Sequence, residues 1–345
     1  MNLAIGVSAM RGADTALMQQ AGIGWVRQDF DFPFTDRLGG ALTEKYVQAR
    51  EEAREWNAKG FQVMGVTPLI GIGGYKPDSA GQLRFVWNDW LPDWMGAPGS
   101  AELNRRYRSL CEFLADDLRG VVQMWQIVNE MDITMFAGPL NPRQSCELIL
   151  EAAHGLKTGD PALAVGTNTA GSDRAYYLYG RLFADPDAPL DYCGVDAYYG
   201  SWAEGSPERW GDRITELNAL TGVKVMVNEW GFASRGDVVT EEERRRVRAG
   251  ASYCQFRKWP HAWGAGHTPE SQADYVRVGF DQFVAHRESL MGAFFYRWED
   301  QEACWQCGSP ECPLETAWGL VDVGNRPKPS YHAFRDGVAR LLRSS

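Results

Sequence analysis

The sequence predicts an α/β fold, a single (β/α)8 barrel spanning residues 1–345, and three observations carry that prediction. Apolar runs of strand length alternate with helical patterns eight times, with no Gly/Ser linker or shift of composition between them. Two of those runs, Trp125-Gln126-Ile127-Val128-Asn129-Glu130 and Val223-Lys224-Val225-Met226-Val227-Asn228-Glu229-Trp230-Gly231, lack alternation and stop at Asn-Glu. Such runs suit parallel strands buried on both faces that deliver polar side chains at their carboxyl ends. The 345 residues exceed the roughly 250 that a barrel needs, which leaves room for long loops.

The elements follow in order. Leu3 to Ser8 reads as a strand, and a helix over about Asp14 to Gln20 leads to a second strand at Gly24-Trp25-Val26-Arg27. Thr43 opens a helix that sets Tyr46, Ala49, Ala53 and Trp56 on one face and stops at Gly60, just before a third strand from Phe61 to Val66. From Pro68 to Gly99 the chain is rich in Gly, Pro and Trp and is expected to be irregular; Trp87, Trp90 and Trp94 argue that it is ordered. Ser100 caps a helix with a stripe from Leu103 to Leu118, and the fourth strand runs from Val121 to Val128. Asn141-Pro142-Arg143-Gln144 is a capping-box start for the next helix. Strands five and six are Leu163 to Gly166, ending near Asn168, and Tyr192 to Ala197, running into Tyr198; helices open at Ser172 and Ser206. Two helical patterns separate strand seven from strand eight, Leu290 to Tyr296: a capped, charged segment from Thr240, expected to be an insertion, and a barrel helix with its stripe from Ala273 to Val284. A helix over about Ser330 to Leu342 completes the count.

Composition narrows the partners. A formal net charge of −10 disfavours nucleic acid and anionic membrane, which demand clustered cations. The one basic run, Arg244-Arg245-Arg246, follows three glutamates and reads as an exposed helix with its charges aligned to the dipole. No stretch reaches the roughly 20 apolar residues of a membrane span, and the start of the chain lacks a basic region followed by an apolar run. The expectation is a cytosolic protein or a mature form whose signal has been removed, acting as a monomer or weak homo-oligomer on a neutral substrate. No phosphate loop, zinc-protease His pair or Gly-x-Ser-x-Gly elbow occurs, so no cofactor or catalytic metal is expected.

In a parallel barrel the polar residues at the strands' carboxyl ends form the site. Here those are Arg27, Asn129, Glu130, Asn168, Asp196, Tyr198, Glu229 and the run Arg297-Trp298-Glu299-Asp300. Two glutamates on separate strands fit glycosidic-bond cleavage, which uses one ionised and one protonated carboxyl about 5 Å apart. Arg27 and the Tyr198 hydroxyl can serve the ionised one, Asn129 a sugar hydroxyl, and Trp298 the floor under the ring. Asn168 reads as a loop cap or a substrate ligand. Trp87, Trp90, Trp94, Trp202, Trp263 and Trp305 fall above the barrel's carboxyl end, where two or three of them, Trp90 included, are expected to touch substrate.

On Asn129-Glu130, Glu229 and Trp298, supported by Arg27, Tyr198 and the Gly319-Leu320-Val321-Asp322 to Lys328-Pro329 ending, the chain resembles the retaining glycoside hydrolases of the large clan with acid/base and nucleophile glutamates on strands four and seven. The resemblance implies Glu130 as acid/base, Glu229 as nucleophile, Asn129 on the sugar 2-hydroxyl, Tyr198 on the nucleophile and Trp298 lining the subsite of the cleaved sugar. It assigns no specific family. Many members carry His two residues before the tyrosine, where this chain has Asp196. The expected activity is retaining hydrolysis of an oligo- or polysaccharide; a non-catalytic sugar-binding barrel and a transglycosylase are the alternatives.

Seven cysteines leave at least one thiol free in a monomer. Cys304-Trp305-Gln306-Cys307 with Cys312 admits three readings: a disulfide plus a free thiol, a zinc site completed by His261 or His267, or reduced thiols. Cys111, Cys146, Cys193 and Cys254 lie on apolar faces and read as inert core.

Overall fold

The computed structural model of the protein describes residues 3–343. Ten strands occur among them: β1 (Ala4–Ser8), β2 (Trp25–Asp29), β3 (Gln62–Val66), β4 (Gly71–Pro77), β5 (Leu83–Asp89), β6 (Met124–Ile127), β7 (Ala164–Thr169), β8 (Tyr192–Ala197), β9 (Lys224–Trp230) and β10 (Leu290–Phe295). Eight of them close a parallel barrel in the order β1-β10-β9-β8-β7-β6-β3-β2, and helices surround it: the fold is the (β/α)8 barrel that the alternation predicts. No helix among the described residues is long and apolar enough to cross a membrane.

Strand periodicity decides what fills the barrel. Every second residue points inward, and each of the eight strands contributes one residue to a buried layer: Ala4, Trp25, Met64, Met124, Ala164, Tyr192, Met226 and Phe294. Large and small side chains must alternate around so narrow a ring. A methyl group at Gly6 would stand 2.3 Å from the Phe294 ring, so Gly6→Ala is expected to destabilise the fold by about 1–3 kcal/mol, read as a lower midpoint in urea unfolding.

The helix expected to open at Ser206 begins instead at Arg209, without a side-chain cap, whereas the capping boxes stand where the sequence signals them. Asn141 and Gln144 exchange both bonds of a capping box before the helix Pro142–Gly159, and Thr240 and Glu243 do the same before Glu241–Arg248. The latter helix buries none of its residues and belongs to the insertion between β9 and β10; the barrel helix of that unit is Pro269–Ala285.

Two expectations need correction. Residues 68–99 are not irregular, because β4 and β5 pair there as an antiparallel hairpin from Gly71↔Asp89 to Pro77↔Leu83. The glycines of β4 hide the strand from a propensity reading, and aromatic rings of β5 cover them: a Cβ at Gly71 would meet Trp87 and one at Gly73 would meet Phe85. Strand five extends past Gly166 to Thr169, which puts Asn168 inside the barrel wall and not in a loop.

Candidate active site

Above the apolar layer the barrel interior turns polar. Arg27 of β2, Gln126 of β6, Asn168 of β7, Asp196 of β8 and Asn228 of β9 follow their apolar predecessors at strand spacing, and all five are buried. Gln126 is the hub. Its carbonyl accepts from Arg27 Nε at 2.8 Å and Asn228 Nδ2 at 2.9 Å, while its amide donates to Val128 O at 2.8 Å, Asn129 Oδ1 at 3.0 Å and Asn168 Oδ1 at 2.9 Å.

Backbone irregularities on this platform aim the two glutamates. On β9, Met226 and Asn228 face inward, so strict alternation would send Glu229 outward. The pairing with β8 slips by one residue, Val195↔Val227 being followed by Asp196↔Glu229, and the bulge sets Glu229 beside Asp196. At the end of β6, Val128 and Glu130 take positive φ of 47° and 42°, a conformation that costs a non-glycine residue about 1–3 kcal/mol. Neighbouring side chains hold it: Val128 N–H donates to Thr67 Oγ1 at 2.8 Å and Glu130 N–H to Asn168 Oδ1 at 3.1 Å. This early exit from the ladder is why the fourth strand ends at Ile127.

The acids sit in unlike environments. Glu229 Oε1 is ion-paired with Arg27 Nη1 at 2.8 Å, and its Oε2 accepts the Tyr198 hydroxyl. Burial opposes the Arg27 charge, but Glu229, Asp29 and Asp196 outweigh that and hold its pKa above the usual guanidinium value. Burial and then Glu229 push the Tyr198 phenol well up, so it stays a donor. Among the described residues Glu130 has no ion-pair partner. Burial first, then the charges of Glu229 and Asp132, raise its pKa well above the ordinary carboxylate value. Asp196 is within hydrogen-bonding reach of Glu130, and burial with the charges of Glu229 and Glu130 raises it as well. The hydrogen bond between the two carboxyls favours the ionised Glu130 and the protonated Asp196, against the larger effects of burial and neighbouring charge that raise both.

These groups line a cleft of about 1220 Å³ at the barrel's carboxyl end. Arg27, Asn129, Glu130, Tyr198, Glu229 and Trp90 all reach it. Of the six candidate tryptophans, Trp90, Trp202 and Trp305 line the cleft, whereas Trp94 packs on Phe34, Trp263 on Phe232 and Tyr275, and Trp87 against Gly138.

Two candidate residues lie elsewhere. Trp298 is fully buried outside the cleft, its indole N–H donating to Asn325 Oδ1 at 3.2 Å and its ring against Tyr331; Tyr296 and Arg297 face the cleft in its place. The chain leaves the barrel after Phe295, so Trp298 no longer follows the inward period of Phe294 and Tyr296. Asn168 does not reach the cleft either. It lies beneath, donating to Asn129 Oδ1 at 2.8 Å and to Asp196 Oδ2. Sequence reasoning passed over Gln126 and Asn228, although a polar residue breaking an apolar strand run is the signal that marks both.

No protein-family model matches the chain, and no curated protein matches it in sequence. Solved structures do match in fold. An exo-β-1,4-mannosidase, Op5Man5, from Opitutaceae bacterium strain TAV5 superposes with a TM-score of 0.65 at 13% identity over 99% of this chain and 60% of its own length. A glucosidase from Croceicoccus marinus gives 0.63 at 12% identity, covering 99% and 68% of the two chains. A family 1 β-glucosidase from Thermotoga maritima gives 0.61 at 15% identity, covering 95% and 85%. The chain therefore spans about 60% of the length of the mannosidase. At these identities the likeness is one of fold.

Proposed function

We propose that the protein is a retaining β-glycoside hydrolase acting on oligo- or polysaccharides, with Glu229 as nucleophile and Glu130 as acid/base. The observation that carries this reading is the contrast between the two glutamates. One is ion-paired with Arg27 and hydrogen-bonded by Tyr198, and the other is desolvated with its pKa raised. The glycosidase neighbours sharing the fold support the same chemistry.

Glu229 attacks the anomeric carbon as a carboxylate while Glu130 gives its proton to the departing glycosidic oxygen. The C–O bond to the leaving sugar breaks as the ester to Glu229 forms. Departure of the leaving group leaves Glu130 ionised. It then takes a proton from water, which attacks the same carbon and releases Glu229. Asn129 Oδ1 accepts from Arg27, Gln126 and Asn168, which fixes its amide so that the NH2 group donates into the cleft, where a sugar hydroxyl binds. Pockets for single small ligands occupy about 300–1,000 Å³, so a cleft of 1220 Å³ lined by four tryptophans, Trp90, Trp202, Trp305 and Trp318, suits several sugar units.

Proton NMR of the first-formed sugar tests the stereochemistry: the substrate's β configuration should persist before mutarotation, and an initial α anomer would overturn the retaining reading. Added acceptor alcohols distinguish hydrolysis from transglycosylation.

A further inference from the structure

Beyond the cleft, the described residues bring four cysteines together that the sequence keeps apart. Cys254 of the insertion after β9 joins Cys304, Cys307 and Cys312 of the loop after β10, and the four sulfurs all lie within 4.8 Å of one another. Reading Cys254 as inert core is thereby corrected, and so is completing the group with a histidine. Both ring nitrogens of His267 face backbone carbonyls, those of Ala233 and His261.

We infer that Cys254, Cys304, Cys307 and Cys312 bind one zinc ion as a tetrathiolate, a structural site that fastens one wall of the cleft. A tetrahedron with Zn–S bonds of about 2.3 Å places its sulfurs about 3.8 Å apart. Cys254 and Cys304 stand at 4.0 Å, close to that spacing and far from a disulfide bond, and all seven cysteines are free thiols. The loop has the form of a metal knuckle. Cys304 O accepts from the amides of Cys307 at 3.3 Å and Gly308 at 2.7 Å, and Gly308 sits at a φ of 73°, which turns the chain back after the second cysteine. Amides also face the sulfurs: those of Cys307, Ser309 and Leu314 contact Cys304, Cys307 and Cys312. N–H donors around thiolates are the outer support that such a site requires. Binding converts four thiols to thiolates and releases four protons to solvent, leaving a complex of charge −2. Trp259, Leu314 and Trp318 pack against Cys254, Cys304 and Cys312, which are buried, while Cys307 is half-buried.

The position gives the site a consequence. Trp305 and Gln306, held between two of the ligands, line the cleft, as do Ser252 and Tyr253 beside the fourth. The Gln306 side chain donates to Glu315 at 2.6 Å, and the Gln306 backbone carbonyl accepts from the Tyr75 amide of the β4-β5 hairpin at 3.3 Å. One ion thus ties the insertion, the loop after β10 and the hairpin into a single wall.

Metal analysis of the full chain, purified without chelator, tests this independently of any turnover. One zinc per chain is expected. After zinc removal, cobalt(II) should restore one equivalent with the thiolate charge-transfer and visible bands of a tetrahedral cobalt tetrathiolate. Cys307→Ser, at the most accessible ligand, should weaken zinc retention in a chelator competition by about 100-fold or more, while Cys111→Ser in the core leaves it unchanged. Wild-type chain that carries no metal and takes up no cobalt, or whose mass shows disulfides among these four cysteines, would overturn the inference, and bound iron would overturn the choice of zinc. Should Cys307→Ser fail to fold, the wild-type cobalt spectrum still decides.

Discussion

Glu229→Gln is expected to abolish turnover, lowering kcat by roughly 10⁴ to 10⁶-fold, the scale seen when an enzyme loses its nucleophile. The amide is isosteric: its carbonyl can still accept from Arg27 and its NH2 can donate to the Tyr198 oxygen, so the side chain stays in place. What disappears is the negative charge and the lone pair that attacks carbon. Sugar binding should persist because Asn129 and the cleft tryptophans are untouched. The measurement is kcat against binding affinity for an oligosaccharide: a variant that binds and turns over at near the wild-type rate would remove Glu229 from the mechanism.

Glu130→Gln should cost about 10² to 10⁴-fold in kcat on substrates with poor leaving groups, the range of general acid catalysis. Aryl glycosides with good leaving groups need no proton to depart, so their first step should survive. The second step lacks its base, and the glycosyl-enzyme should accumulate as a burst of aryl alcohol. Azide, which attacks without deprotonation, should then restore turnover and yield a glycosyl azide of retained configuration. Equal losses on good and poor leaving groups, with no burst, would contradict the assignment. Stability gives a second readout. A carboxyl whose pKa is raised in the fold binds more protons folded than unfolded at pH values between about 4 and its raised pKa. Its stabilising contribution is therefore complete below the unfolded value and is lost as pH rises through the folded one. The glutamine is neutral throughout, so the melting temperature of Glu130→Gln should exceed that of wild type by a margin that grows with pH across this interval.

How much of this was legible in the sequence follows from which forces are local. Strand runs, helix stripes and caps depend on neighbours in sequence, which is why Asn141 and Thr240 could be read as cap residues before any contact was known. Strand ends were legible too, and Arg27, Asn129, Glu130, Tyr198 and Glu229 do meet at one cleft. Trp298 was not, since its place depends on where the chain leaves β10 and on Asn325 and Tyr331 far along the sequence. Asn168 was misplaced because the extent of β7 is set by pairing with β8, through Asn168↔Gly194 and Thr169↔Val195. The partnership of Cys254 with the Cys304 loop spans 50 residues and exists only once the insertion folds over the cleft.

The central claim is a covalent glycosyl ester on Glu229. Mass spectrometry after incubation with a panel of 2-fluoro glycosides tests it most directly, because fluorine at C2 slows release more than formation of the ester. One glycosyl unit per chain is expected, from the sugar the cleft prefers, on the peptide containing Asn228-Glu229-Trp230. A label on any other side chain, or active enzyme that no member of the panel inactivates, would contradict it.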